Sequence, residues 1–157
     1  EVSVSPRTTV YVVPAGGGEA RVVRTDLAGD LAVWQEGGRL RNVLSVKVPI
    51  TGAKTARKVL NRLLARHHLE QKEIQWWAVH AGGTGVLDKV GQDLGLDEKD
   101  LRYSLEVFRT YGNMSSPSVM FALRQVLDQG RPKAGDKGIL LSFGAGFSAF
   151  AALVEFL

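Results

Sequence analysis

Two side chains capable of chemistry stand at the ends of predicted secondary-structure elements. His80 follows a short apolar run, and Asn113 comes just before a predicted helix. A third feature, the loop Phe143-Gly144-Ala145-Gly146, separates two apolar runs near the C-terminus. In open α/β sheets, ligands bind in the loops at the carboxyl ends of the strands. We therefore expect His80, Asn113 and this loop to converge on one ligand site.

Each of these features also has an ordinary structural explanation. A histidine after a strand commonly forms a structural hydrogen bond, and Gly-Asn pairs and Gly-x-Gly segments commonly form turns. Gly112 and Asn113 are not needed to start the following helix. Ser116 supplies an N-cap oxygen there, and Pro117 is preset for the first helical position. From position alone, the structural and the functional explanations both stay open.

The elements that must position these residues follow from the apolar pattern. Helices are predicted over 53–67, 84–94, 98–110 and from Ser116 onward, and strands over 8–13, 20–24, 31–34, 39–48, 74–79, 138–143 and 147–157. The first helix carries basic residues off its apolar stripe, which indicates a solvated face: Lys54, Arg57, Lys58, Arg62 and Arg66. Alternating strands and helices predict one layered α/β domain over 1–157, in which the last two strands are antiparallel.

Composition limits the kinds of site that this chain can build. Its 157 residues are 45% hydrophobic, which suits one globular domain with a sizeable core. It contains no cysteine, so it supplies no disulfide, thiolate metal site or cysteine nucleophile, and three histidines do not favour a metal cluster. No apolar run has the length of a membrane span and no signal peptide is evident, so we predict a cytoplasmic protein. A net charge of +4 without interleaved aromatic residues does not favour nucleic-acid binding.

Three stretches resemble the C-terminal half of type III polyketide synthases, the chalcone and stilbene synthase family. They are WAVHAGGTGVLDKV, VFRTYGNMSSPSVMFAL and LLSFGAGFSAF. Their order and spacing match the family's His-Pro-Gly-Gly, Tyr-Gly-Asn-Met-Ser-Ser and Gly-Phe-Gly-Pro-Gly motifs, and the resemblance covers about residues 31–157. It implies a thiolase-like half, with a mixed five-stranded sheet covered by helices in a layered α/β arrangement.

The resemblance also implies roles for the two candidate residues. His80 matches the catalytic histidine and Asn113 the catalytic asparagine, whose partner in the family is a cysteine of the N-terminal half. Such an enzyme holds an acyl group as a thioester and decarboxylates malonyl-CoA. An imidazole N–H and an asparagine amide would then stabilise the enolate oxygen.

Further implications concern substrates and the loops around the site. Gly82, Gly83 and Gly85 are expected to let the pantetheine arm approach the backbone closely. The loop Phe143 to Gly146 is expected to form the active-site floor. Acyl-CoA and malonyl-CoA are the expected substrates, with no metal and no covalently bound cofactor. The partner is the Cys-bearing N-terminal half, and the complete enzyme is expected to be a homodimer.

The sequence departs from the family at several positions. Ala81 replaces the proline after the histidine, Ser142 and Ala145 replace a glycine and a proline of the floor loop, and Asn42 stands at the gatekeeper phenylalanine. These changes put product length and cyclisation in doubt more than catalysis. Because the chain lacks cysteine, we predict that it is inactive alone and that Glu1 begins a trimmed, processed or partial sequence.

Two other interpretations compete with this one. Ketoacyl-ACP synthase III enzymes share the fold, but there the histidine is followed by Gln-Ala-Asn rather than by the Ala81-Gly82-Gly83 found here. The second alternative is a non-catalytic partner that only stabilises a Cys-bearing subunit. The presence of both His80 and Asn113 argues against that purely structural role.

Overall fold

The structure, a computed structural model, describes residues 8–12, 21–27, 31–35, 39–43, 47–144 and 148–157. The chain divides into two compact units, one of residues 1–46 with 145–147 and one of residues 47–144 with 148–157. The single-domain organisation therefore stays a prediction. In the first unit, the described strands form two antiparallel pairs: β1 (Thr8–Val12) with β2 (Arg21–Leu27), and β3 (Leu31–Gln35) with β4 (Arg39–Val43).

The second unit carries both candidate residues. Its elements, in chain order, are α1 (Val48–Arg66), a 3₁₀ turn (Gln71–Glu73), β5 (Trp76–Val79), α2 (Thr84–Leu94), α3 (Glu98–Tyr111), α4 (Pro117–Gln125), a π-helical turn (Val126–Gly130), β6 (Lys137–Gly144) and β7 (Ser148–Glu155). The sheet order is β5-β6-β7, with β5 parallel to β6 and β6 antiparallel to β7. The antiparallel final pair is as predicted.

The strand number of this sheet differs from the prediction. Five strands were expected, but the sheet has three in the part of the chain that the structure describes. The described strands of the first unit form two separate pairs, β1 with β2 and β3 with β4. Apolar patterning identifies strands well, but it does not determine which strands pair across the chain.

The core of the second unit explains why β5 is nearly continuously apolar. Trp77, Ala78 and Val79 are buried, and β5 is covered by α3, α4 and β6. In β6, Ile139 and Leu141 are fully buried beside it. A strand enclosed in this way needs apolar side chains on both faces. Its carboxyl end, where His80 follows, is thereby fixed within the core.

Helix α1 begins earlier than predicted, at Val48 rather than at Ala53. Pro49 lies in its first turn, where the missing backbone N–H costs no intrahelical hydrogen bond. The prediction of a strand as far as Val48 is therefore wrong, since β4 ends at Val43. The predicted basic face is confirmed, because all five of its side chains are exposed: Lys54, Arg57, Lys58, Arg62 and Arg66. None of the described helices is long and apolar enough to cross a membrane, and cytoplasmic localisation stays a prediction.

Candidate functional site

The backbone around His80 is held from two sides. The His80 N–H donates to the Leu141 carbonyl of β6 at 2.8 Å, and the preceding Val79 N–H donates to Ser104 Oγ of α3 at 2.9 Å. The His80 side chain is 8% exposed, and its ring meets the Phe143 ring edge to face at 6.3 Å between centroids. The imidazole therefore has a fixed, largely apolar surrounding.

Burial changes the protonation behaviour of His80. Desolvation lowers the pKa of the imidazole below its ordinary value of 6.5, and a hydrogen bond with the Ser115 backbone partly opposes this by raising the pKa. The second effect identifies the Ser115 carbonyl as an acceptor, because only an acceptor favours the imidazolium form. In this chain the ring at neutral pH is therefore mostly a neutral imidazole, and its single N–H is the donor to the Ser115 carbonyl.

The lowered pKa predicts a loss of stability in acid. Between 6.5 and the lower folded pKa, the unfolded state binds more protons at residue 80 than the folded state does. The free energy of unfolding therefore falls as the pH falls through this range. We expect urea unfolding at about pH 7.5 and about pH 5.5 to differ less in His80→Gln than in the unchanged chain. His67→Gln, at an exposed position, is the control. Equal pH dependence in all three proteins would contradict a buried neutral ring.

The side chain of Asn113 is oriented by two hydrogen bonds. Gly112 ends α3 with φ 69° and ψ −158°, a conformation that favours glycine. Asn113 Oδ1 accepts the Ser115 N–H at 2.8 Å, and Nδ2 donates to the Gly82 carbonyl at 3.1 Å. These opposite partners fix which end of the amide is nitrogen. No hydrogen bond among the described residues uses the second N–H of Nδ2.

The His80 and Asn113 loops meet at two shared backbone positions. Asn113 binds the carbonyl of Gly82, and a Cβ added to Gly82 would lie 3.1 Å from His80 Cδ2 and 3.2 Å from Nε2. Ser115, whose N–H binds Asn113, also hydrogen-bonds to the imidazole through its backbone. The structure thus brings together the two residues that the sequence predicted to converge. Their catalytic roles stay predictions.

The three glycines predicted to admit a pantetheine arm differ in their surroundings. Gly82 lies against the imidazole, so its small size has a local reason. Gly83 precedes α2 with φ 153°, a value that other residues rarely adopt. Gly85 lies in the first turn of α2, where an added Cβ would meet no atom within 4 Å. Contact of these glycines with a substrate stays a prediction.

Half of the predicted floor loop belongs to the described site. Phe143 contacts the His80 ring, and Gly144 ends β6 opposite Ser148. Ala145 and Gly146 lie outside the described residues. The role of this loop as an active-site floor stays a prediction. Asn42 lies in β4, where only the backbone is described, so its predicted gatekeeper position stays a prediction too.

The start of α4 corrects a sequence prediction. Ser116 was expected to cap the helix, but its backbone is already helical and its side chain makes no cap bond. Ser118 acts there instead: its Oγ accepts the Met114 N–H at 3.1 Å, and its own N–H donates to the Ser115 carbonyl at 3.1 Å. Sequence analysis also missed Ser104. Its signal was a serine at helical spacing between the buried Leu101 and Val107.

A group of exposed apolar residues flanks Asn113 in the sequence. We call Met120 and Phe121 of α4, together with Tyr111 at the end of α3 and Leu127 in the following π-helical turn, the α4 apolar face. Their exposures are 56%, 43%, 52% and 46%. The Tyr111 and Phe121 rings pack edge to face at 5.4 Å between centroids. Apolar residues at helical spacing predict a buried stripe from Ser116 onward: Val119, Met120, Leu123, Val126 and Leu127. For Met120 and Leu127 this prediction is wrong, because both are exposed. In this chain, the buried side chains of α4 are Ser118, Val119 and Ala122.

Comparison with known families gives one match that covers more than half of the chain. Residues 64–156 match the family model described as 3-oxoacyl-[acyl-carrier-protein (ACP)] synthase III C terminal. The matched range begins before β5 and ends just after β7, so it includes both His80 and Asn113. It therefore contains every residue of the site whose side chain the structure describes.

The individual relatives are longer proteins, and this chain matches only a part of each. A 3,5-dihydroxyphenylacetyl-CoA synthase of Streptomyces toyocaensis is 36% identical over 118 residues, which are 75% of this chain and 30% of that protein. The crystal structure of PKS-I from the brown alga Ectocarpus siliculosus has a TM-score of 0.71 and 24% identity, over 99% of this chain and 37% of that one. For 1,3,6,8-tetrahydroxynaphthalene synthase of Streptomyces coelicolor A3(2), a bacterial type III polyketide synthase, the TM-score is 0.70 and the identity 26%, over 99% and 38%.

These comparisons confirm the predicted fold class. The chain is α/β, with the fold of type III polyketide synthases. It spans 30% of the length of the Streptomyces toyocaensis relative and 38% of the tetrahydroxynaphthalene synthase chain. What those proteins do as a whole therefore requires residues beyond the ones present here.

Proposed function

Since the chain belongs to the 3-oxoacyl-[acyl-carrier-protein] synthase III C-terminal family, we propose that it is the C-terminal catalytic half of a CoA-dependent decarboxylative condensing enzyme of the type III polyketide synthase kind. The observation that carries the proposal is the meeting of His80 and Asn113 at Gly82 and Ser115. A purely structural half-domain would need neither a buried imidazole nor an amide held beside it.

The proposed chemistry is decarboxylation followed by condensation. Breaking the C–C bond of malonyl-CoA releases CO₂ and leaves an electron pair that forms an enolate. The negative charge on the enolate oxygen would be stabilised by the unused N–H of Asn113 Nδ2 and by the second N–H that His80 gains as an imidazolium, once the cysteine of the partner half has transferred its thiol proton to the ring. The enolate carbon then attacks an acyl thioester on a cysteine. A C–C bond forms, the C–S bond breaks, and the cysteine leaves as thiolate.

The matched family model is named after ketoacyl synthase III enzymes, which are the first alternative interpretation of this chain. Two observations favour the polyketide synthase. His80 is followed by Ala81-Gly82-Gly83, and the tetrahydroxynaphthalene synthase, at 26% identity, is a type III polyketide synthase. Both interpretations make this chain half of a condensing enzyme, and they differ in the substrate of that enzyme.

The proposed partner is a Cys-bearing thiolase-like half, in the same polypeptide or as a separate subunit. Oxyanion donors act strongly only in a site from which water is excluded, whereas Asn113 is exposed in this chain. Another part of the enzyme must therefore cover it. The α4 apolar face flanks Asn113 in sequence and offers that part an apolar surface. A homodimer of the completed enzyme stays a prediction.

Reconstitution tests the proposed function. The chain would be fused to the Cys-bearing part of the Streptomyces coelicolor synthase and supplied with malonyl-CoA and an acyl-CoA. We expect CO₂ release and a lengthened acyl product, detected by mass spectrometry. The chain alone should produce neither, because it has no cysteine. A fusion that folds and binds CoA thioesters but releases no CO₂ would contradict a condensing function and favour the non-catalytic partner.

A further inference from the structure

Two buried serines have no part in the chemistry described so far. Besides His80, the buried polar side chains of the described residues are Ser104 and Ser118, and each is 0% exposed. Ser104 Oγ accepts the N–H of Val79, the residue directly before His80, at 2.9 Å. Ser118 Oγ accepts the N–H of Met114, the residue directly after Asn113, at 3.1 Å.

The Ser104 hydroxyl accepts a hydrogen bond from β5 that a second neighbouring strand would otherwise accept. Among the described strands β5 has one partner, β6, and the His80 N–H points to that partner, bonding to Leu141 O. In a parallel strand, successive N–H groups point to opposite sides, so the Val79 N–H points away from β6. A buried N–H needs an acceptor, and the hydroxyl from α3 provides it. The end of β5 is thereby held on both sides of the chain.

Ser118 holds the turn that carries Asn113. Ser118 makes two hydrogen bonds within this turn. Its Oγ accepts the Met114 N–H, and its own N–H donates to the Ser115 carbonyl. Ser115 adopts φ 62°, which is unfavourable for a residue other than glycine. Such a conformation persists when surrounding bonds over-determine it. Ser118 and the Asn113 side chain supply those bonds on either side of Ser115.

We propose that Ser104 and Ser118 are positioning residues, whose hydroxyls fix the backbone beside His80 and beside Asn113 so that an imidazole N–H and an amide N–H point to one oxygen. Neither serine touches the substrate in this proposal. Its catalytic meaning rests on the proposed function, but the geometric part does not, because it can be measured in the chain alone.

The kinetic test uses the fused enzyme with paired variants. Ser104→Ala and Ser118→Ala remove the acceptor with little change in volume, while Ser104→Thr and Ser118→Thr keep the hydroxyl. A displacement of about 1 Å can cost about 10²-fold in rate, so we expect kcat for CO₂ release to fall at least about tenfold in the alanine variants. KM for malonyl-CoA should stay within about twofold, and threonine should restore kcat. Alanine variants that keep the unchanged kcat would overturn the proposal.

A structural test uses the 157-residue chain without any activity. We expect Ser118→Ala to shift the side-chain amide signals of Asn113 in ¹⁵N NMR spectra, and Ser104→Ala to shift the ring signals of His80. Val107→Ala and Val126→Ala remove fully or almost fully buried groups near the same helices and should leave both sets of signals in place. Equal shifts in the valine controls would overturn the proposal. If the fused enzyme is inactive, or if threonine does not fit, this comparison decides the question alone.

Discussion

Replacing His80 or Asn113 by alanine should lower malonyl-CoA decarboxylation by the fused enzyme by about 10²–10³-fold, which corresponds to about 2.7–4 kcal/mol of transition-state stabilisation for one oxyanion donor. The reason is geometric. His80 is 8% exposed and held by β6, and Asn113 is bound to Gly82 and Ser115. Both donors are thus in place before the charge develops, and an alanine at either position has no N–H to replace the lost one.

Matched controls separate this effect from general damage. His67 and Asn61 are exposed residues of the same two types. Asn61 lies within α1, and His67 directly follows the last residue of that helix. His67→Ala and Asn61→Ala should leave the rate within about twofold, as is usual for surface changes. Melting temperatures measured for all four variants would identify any that fail to fold. A loss below about tenfold in folded His80→Ala or Asn113→Ala would refute that residue's role as a donor.

The second large effect is expected from Gly82→Ala. The added Cβ would lie 3.1 Å from His80 Cδ2 and 3.2 Å from Nε2. The buried imidazole would have to move by a few tenths of an ångström, and the Gly82 carbonyl that binds Asn113 would be disturbed with it. We expect kcat for CO₂ release to fall by about tenfold or more, because small misplacements of a donor are costly.

Gln92→Ala is the control for this substitution. Gln92 is exposed in α2, the helix that follows Gly82 and Gly83, and surface substitutions usually have small effects. Its rate of CO₂ release should therefore stay close to that of the unchanged enzyme. Gly82→Ala with the same kcat as Gln92→Ala would mean that the Gly82–His80 contact has no influence on the reaction.

The sequence predicted the local parts of the site well. The apolar run before His80 indicated β5, and periodicity indicated α2 with its observed ends and α3 to within one residue. These elements depend on short-range signals, namely the burial of a short strand and apolar residues that recur at helical spacing. The convergence of His80 and Asn113 followed from the general rule for strand ends.

The bonds that hold the site could not be predicted in this way. Ser104 meets Val79 across 25 residues and Asn113 meets Gly82 across 31, and no local pattern specifies such partners. Ser116 was predicted as the cap of α4 from its place before Pro117, but Ser118 makes the bonds because its side chain points into the turn. The predicted number of strands in the sheet was wrong for the same reason, because strand pairing depends on segments that are distant in the sequence.

His80 and Asn113 are proposed to act on the same oxygen, and a double-mutant cycle in the fused enzyme measures whether they do. The rate of CO₂ release from malonyl-CoA would be measured for His80→Ala, Asn113→Ala and the double variant. Residues that act as a unit lose far less together than the product of their separate losses. We therefore predict that the double variant is at most about tenfold slower than the slower single variant. Losses that multiply in full would contradict the claim and would assign the two side chains to separate steps.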